Sequence, residues 1–167
     1  YKNNANIADA TVSEIVAATA DGRTLIYTDS TMGAIGFVDI TNPAQPAPLG
    51  KLAFADGHEP TSVDVLGNEY ALVAVNSSAS FTNTSGYLAV VDLATRTVTR
   101  QIDLGGQPDS IKISADKRYA AVVIENERDE ALCAGGSAGG LEVVDDDDDF
   151  VAGTNTTEDL CESGGGL

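Results

Sequence analysis

The chain has 167 residues and a formal net charge of −17, from 26 acidic against 9 basic side chains. That balance excludes nucleic acid and anionic membranes as partners, because both are recognised through clustered lysine and arginine, and it makes divalent cations the natural counter-partners. Hydrophobic residues make up 43 %, but with no tryptophan and 4 phenylalanines among them the core must come from thin strands of Ala, Val, Leu and Ile, with 17 glycines for the turns.

Tyr1–Ala10 is polar and aperiodic, and reads as a lead-in arm. Strands then follow one another. Thr11–Ala20 ends at Asp21-Gly22, a hairpin signal, and Arg23–Ser30 resumes with Leu25, Ile26 and Tyr27. Ala34–Thr41 is the third strand. Pro46 and Pro48 blunt the fourth, Pro48–Phe54, which suits an edge. The plan then repeats through Thr61–Leu66, Tyr70–Asn76, Tyr87–Leu93 and Val98–Leu104, with a longer polar loop, Ser77–Gly86, inside it. A third round opens with Asp109–Ser114 and Tyr119–Ile124 and then loses its pattern. From Glu125 to Glu162 fall half of all the acidic residues, including the block Asp145–Asp149, and this tail reads as an insertion whose closing strands lie beyond Leu167.

Pro108 and Ser110 stand 48 residues after Pro60 and Ser62, and Ile111 and Ile113 answer Val63 and Val65. Self-similarity at such a period marks stacked supersecondary units, and units made of four antiparallel strands are propeller blades. The expected fold is all-β, an incomplete β-propeller. The arm is followed by blades at 11–56 and 57–106, half a blade at 107–125 and an acidic, glycine-rich loop at 126–167. The remaining blades are expected from a longer form of the chain or from another chain, and a β-sandwich is the alternative that the repeat argues against. No apolar run approaches the length of a membrane span, and a first residue other than Met suggests a processed or truncated product.

The segments SEI (Ser13–Ile15), GHEPTSVDV (Gly57–Val65) and GGQPDSIKIS with YAAVVIENERDE (Gly105–Glu130) resemble a group of secreted β-propellers with YVTN-type blades, among them choice-of-anchor, alkaline-phosphatase-like and esterase-like-phytase proteins. The likeness spans Thr11–Glu130. It implies a secreted, extracellular or periplasmic propeller, often calcium-dependent and in some relatives a phosphoesterase.

Residues just before the first strand of a blade sit at the mouth of the central channel, so the repeat brings Glu14, Glu59 and Asp109 towards one axis. Carboxylates converging there need a cation, and oxygen-only ligands select Ca²⁺ or Mg²⁺ over zinc; the alternative is that they cap turns and face water. Glu125 and Glu127 share a strand face by the period of two and are candidates for metal ligands or a general base, with Arg128 to orient a phosphate through its guanidinium fork; the alternative is a charged loop that closes the strand. His58, the single histidine, is a candidate general acid or ligand, with a solvated turn residue as the commoner alternative. Asp147, Asp149, Asn155 and Glu158 match four EF-hand positions, but Val151 and the late Gly153 do not, which leaves a weakly cation-binding acidic loop. Cys133 and Cys161, in loop-like sequence, are expected to form a disulfide in an oxidising compartment. Asn76, Asn83 and Asn155 begin glycosylation sequons. No GxSxG elbow, HExxH or Walker loop is present, which removes serine-hydrolase, zincin and nucleotide-triphosphatase chemistry. Two functions follow: a secreted calcium-binding propeller that hydrolyses phosphate esters, or a non-catalytic surface, adhesion or assembly module whose loops make the contacts.

Overall fold

The computed structural model describes residues 3–125, 140–145 and 150–153. These contain no helix and form three four-stranded antiparallel sheets. The first holds β1 (Val16–Ala18), β2 (Thr24–Asp29), β3 (Ala34–Asp39) and β4 (Ala47–Ala53) in chain order. The second holds β5 (Glu59–Leu66), β6 (Tyr70–Asn76), β7 (Gly86–Asp92) and β8 (Thr97–Asp103), again in order. The third holds β9 (Pro108–Ile113), β10 (Tyr119–Ile124), β11 (Gly140–Asp145) and β12 (Phe150–Gly153).

The third sheet corrects an expectation. Its closing strands lie at 140–153 and not beyond Leu167, so the sheet is whole and not half a blade. Leu141–Val144 is too short, and too hemmed by glycine and aspartate, to declare itself a strand. β10 offers it an unbroken ladder, from Tyr119 opposite Asp145 to Ile124 opposite Gly140, so pairing supplies the order that local sequence lacks.

Alternation along β6 explains why the sheets stack. Ala71, Val73 and Val75 face the first sheet, where they join Ile26, Ile35 and Phe37; Ala74, on the opposite face, joins Ile111, Ala120, Val122 and Ile124 of the third. The middle sheet is thus buried on both faces, and two apolar layers hold three sheets. β4 is the exposed outer strand that its prolines predict, and the pairing of Phe37 and Val38 with it skips Leu49.

β1, β5 and β9 are neighbours and run in the same direction. Thr61 Oγ1 donates to the Pro108 carbonyl at 2.8 Å, and the Ile111 and Ile113 amides donate to Ser62 Oγ at 3.3 Å and Asp64 Oδ2 at 2.9 Å. At the first junction the Ala20 amide meets the Gly67 carbonyl and the Asp21 amide meets Asn68 Oδ1, both at 2.9 Å. First strands side by side, with later strands leading outward, are the arrangement of propeller blades about an axis.

β1 is shorter than Thr11–Ala20 because its opening is held by other means. The Val12 and Ile15 amides go to side chains, Asp29 Oδ1 at 3.1 Å and Thr28 Oγ1 at 3.3 Å. The lead-in arm also has a seat. The Asn3 side-chain amide donates to the Tyr27 hydroxyl and the Phe37 carbonyl, both at 3.0 Å, while its oxygen accepts from the Gly50 amide at 3.0 Å. The Tyr27 ring lies so close over Gly36 that a Cβ there would stand 2.1 Å from it.

Candidate functional site

Because the first strands run in one direction, everything that precedes β1, β5 and β9 falls on one rim, and antiparallel pairing adds the ends of β2, β6 and β10. This rim therefore carries Glu14, His58, Glu59, Asp109 and Glu125, together with the loop between β6 and β7. Glu14, Glu59, Asp109 and Glu125 are exposed, and His58 is half-buried. Glu125 is fixed by its amide, which donates to the Gln107 carbonyl at 2.8 Å beside β9.

Among the described residues no three Asp, Glu, His or Cys side chains come together as a metal group. Glu14 precedes β1, Glu59 opens β5 and Asp109 lies in β9, so the three share a rim but belong to three successive sheets. They do not fit a single cation held by all three. Glu127, Arg128, the Cys133–Cys161 pair and the EF-hand-like run with its sequon at Asn155 lie outside the described residues, apart from the backbone of β12.

His58 has a partner that its sequence context did not reveal. Its Nδ1 lies 3.1 Å from the Tyr87 hydroxyl, with ring centroids 5.6 Å apart. Burial pushes the Tyr87 phenol above its ordinary pKa, so the hydroxyl keeps its proton and can serve as the donor to Nδ1. In the tautomer where Nδ1 accepts, the ring hydrogen sits on Nε2. Tyr87 stands one residue after Gly86, where Pro108 leaves no room for a side chain; a glycine before an aromatic at a strand start was the available signal.

A second overlooked residue is Asp29, at the rim end of β2 and only 1 % exposed. Its Oδ1 accepts from the Val12 and Met32 amides at 3.1 and 3.3 Å. It occupies the place in the first sheet that Asn76 holds in the second.

The loop Ser77–Ser85 is tightly self-bonded. Ser85 Oγ donates to the Ser77 carbonyl at 2.8 Å, Ser78 Oγ to the Ser85 carbonyl at 3.1 Å, and the Asn83 amide to Ser80 Oγ at 3.1 Å. It holds Phe81 outward, 55 % exposed.

The opposite rim has a different chemistry. There Asp21 and Asp116 accept from Thr19 Oγ1 at 2.7 Å and Ser114 Oγ at 2.6 Å, and these hydroxyl bonds, with the following amides, hold both carboxyls below the usual range. Thr41 does the same for Asp39, as does Thr95, by its amide and then its hydroxyl, for Asp92. Those aspartates are occupied in building turns.

Among solved structures, hydrazine synthase from Kuenenia stuttgartiensis is similar at a TM-score of 0.62 and 18 % identity, over 80 % of this chain and 34 % of that one. The Pan2 WD40 domain of Neurospora crassa is similar at 0.58 and 12 %, over 83 % and 38 %. The chain therefore spans little more than a third of the proteins it overlays, and at such identity the likeness is one of fold, a propeller. No curated protein matches it in sequence. The family model of the choice-of-anchor I domain matches residues 14–161, from the glutamate on the first rim turn to the second cysteine, and the chain belongs to that family.

Proposed function

We propose that this chain is part of a secreted propeller that binds Ca²⁺ at the rim where its first strands begin and hydrolyses phosphate esters there. The observation that carries the reading is the gathering of Glu14, His58, Glu59, Asp109 and Glu125 on one rim of three neighbouring sheets. Choice-of-anchor membership supports a cell-surface or secreted setting. His58, oriented by Tyr87, offers an N–H to a leaving or non-bridging oxygen, and Glu125 is the carboxylate available as a base. A bound cation would supply neutralisation of the phosphate charge. No single ion joins Glu14, Glu59 and Asp109; each is a ligand for a separate site completed by main-chain or solvent oxygen.

A second reading, a non-catalytic adhesion or assembly module, is favoured by the preorganised loop that presents Phe81. One assay separates the two: turnover of p-nitrophenyl phosphate by the full chain, with Ca²⁺ and with chelator. The hydrolytic reading expects Ca²⁺-dependent turnover that falls about 100-fold or more in His58→Ala. Absence of turnover from folded protein in Ca²⁺ would sink it and leave the module.

A further inference from the structure

Asp29 is buried, yet only one of its oxygens is used. Oδ1 takes both amide hydrogens, from Val12 and Met32, and among the described residues no donor meets Oδ2 and no lysine or arginine pairs with the carboxylate. A buried carboxyl group with an unused oxygen and no counter-charge is costly, and native structures resolve that cost with a partner such as water or an ion. The surroundings supply the rest. The segment before β1 lies along the end of β2, with the Thr28 and Ser30 amides donating to the Ile15 and Val12 carbonyls at 2.9 and 3.2 Å. That register puts Ser13 and Glu14 across from Asp29 on the segment that borders the end of β2, which brings a second acidic residue to the same stretch of rim. Hard oxygen donors with one buried and one exposed carboxylate suit Ca²⁺, which tolerates irregular geometry and completes its shell with carbonyls and water.

We infer that Asp29 Oδ2 and Glu14 form a Ca²⁺ site that fastens the segment Val12–Ile15 to the end of β2. The ion ties the chain entering the first blade to the strand that closes its rim, and the occupancy of the site sets how firmly that blade edge is held. This rests on the cation-binding half of the function proposed above and is independent of the hydrolytic half.

The test uses the full chain, in chelator and in saturating Ca²⁺, read by thermal unfolding and by hydrogen exchange of a peptide covering residues 11–16. Ca²⁺ should raise the midpoint by about 5–10 °C and slow exchange in that peptide at least ~10-fold. Asp29→Asn keeps an oxygen for the Val12 amide and removes the charge, so it should fold and lose both responses. Glu14→Gln, at an exposed position, should weaken both and serves if Asp29→Asn does not fold. A wild-type peptide whose exchange ignores Ca²⁺ overturns the inference, as does a Ca²⁺ response that survives in Asp29→Asn, which would belong to the acidic run Asp145–Asp149. Protein that passes this test but hydrolyses nothing refutes only the hydrolytic reading. Ca²⁺-dependent turnover without protection of residues 11–16 refutes only this site.

Discussion

Asp64 shows how one side chain joins two sheets. It accepts from the Ile113 amide and from Lys112 Nζ, both at 2.9 Å, and from the amide of Val65. Burial pushes its carboxyl up, but the bonds from Ile113, Lys112 and Val65 outweigh that and leave the pKa below its ordinary value. The Lys112 side chain is 81 % exposed, so the ion pair adds little, and the bond to the Ile113 amide dominates. Asp64→Ala should therefore cost about 1–3 kcal/mol at pH 7 by urea unfolding. Since the folded pKa is depressed, the carboxylate contributes above the unfolded value near ~3.9 and loses that contribution as pH falls through the folded value. The gap between Asp64→Ala and wild type should narrow at pH 3; an equal gap at both pH values would refute the role. Spacing in the sequence matches Ser62 to Ser110, whereas Ser62 is 4 % exposed and serves the neighbouring strand while Ser110 is exposed. Spacing identifies equivalent positions but not which of them a following blade covers. Asp29 and Tyr87 were illegible for the same reason, since each acquires its role from a segment 17 or 29 residues away.

The turns between first and second strands show the repeat at its most literal. Thr19-Ala20-Asp21-Gly22-Arg23 and Ser114-Ala115-Asp116-Lys117-Arg118 make the same bonds, hydroxyl to carboxylate and carboxylate to the amide two residues on. Their fourth positions share a left-handed backbone, with φ of 67° at Gly22 and 63° at Lys117. Glycine adopts that region without strain, while a side chain there costs about 1–2 kcal/mol, partly offset by its stiffer unfolded chain. Lys117→Gly should stabilise the chain by up to about 1 kcal/mol and Gly22→Ala should destabilise it by about as much, measured by urea midpoints. Opposite signs at equivalent positions are the check; two changes of the same sign would show that the turns differ. Both turns, and ten of the strands, were legible within a few residues, because apolar alternation and Asp-Gly or Asp-Lys breaks are local signals. β11 and β12 were not, because their register is imposed by β10.

Three sheets joined by two apolar layers behave as a short one-dimensional stack, in which each layer contributes separately to stability. Ile111, 5 % exposed, belongs only to the layer between the second and third sheets. Truncation to alanine should cost about 2–5 kcal/mol there and leave the other layer intact. Hydrogen exchange in Ile111→Ala should quicken across residues 108–124 and stay unchanged across residues 24–39. Uniform quickening would mean that the stack melts as one unit. The propeller class itself was legible because a period of 48 residues is a property of the whole chain, one that survives local ambiguity.

That period also governs timing. The ties from one sheet to the next join residues 47 to 49 apart: Asp21 to Asn68, Leu49 to Arg96, Thr61 to Pro108, Ser62 to Ile111 and Asp64 to Ile113. Asn3 reaches Gly50 across the same interval. At ribosomal speeds of about 5–20 residues per second, one such interval emerges in roughly 2–10 s. Contacts at that interval let the arm latch the first sheet once its outer strand has emerged, and let each later sheet dock on one already made. A nascent chain of this design need never hold more than one unfinished blade at the tunnel exit, so the apolar strands that make the stack stable are exposed to neighbours only one sheet at a time.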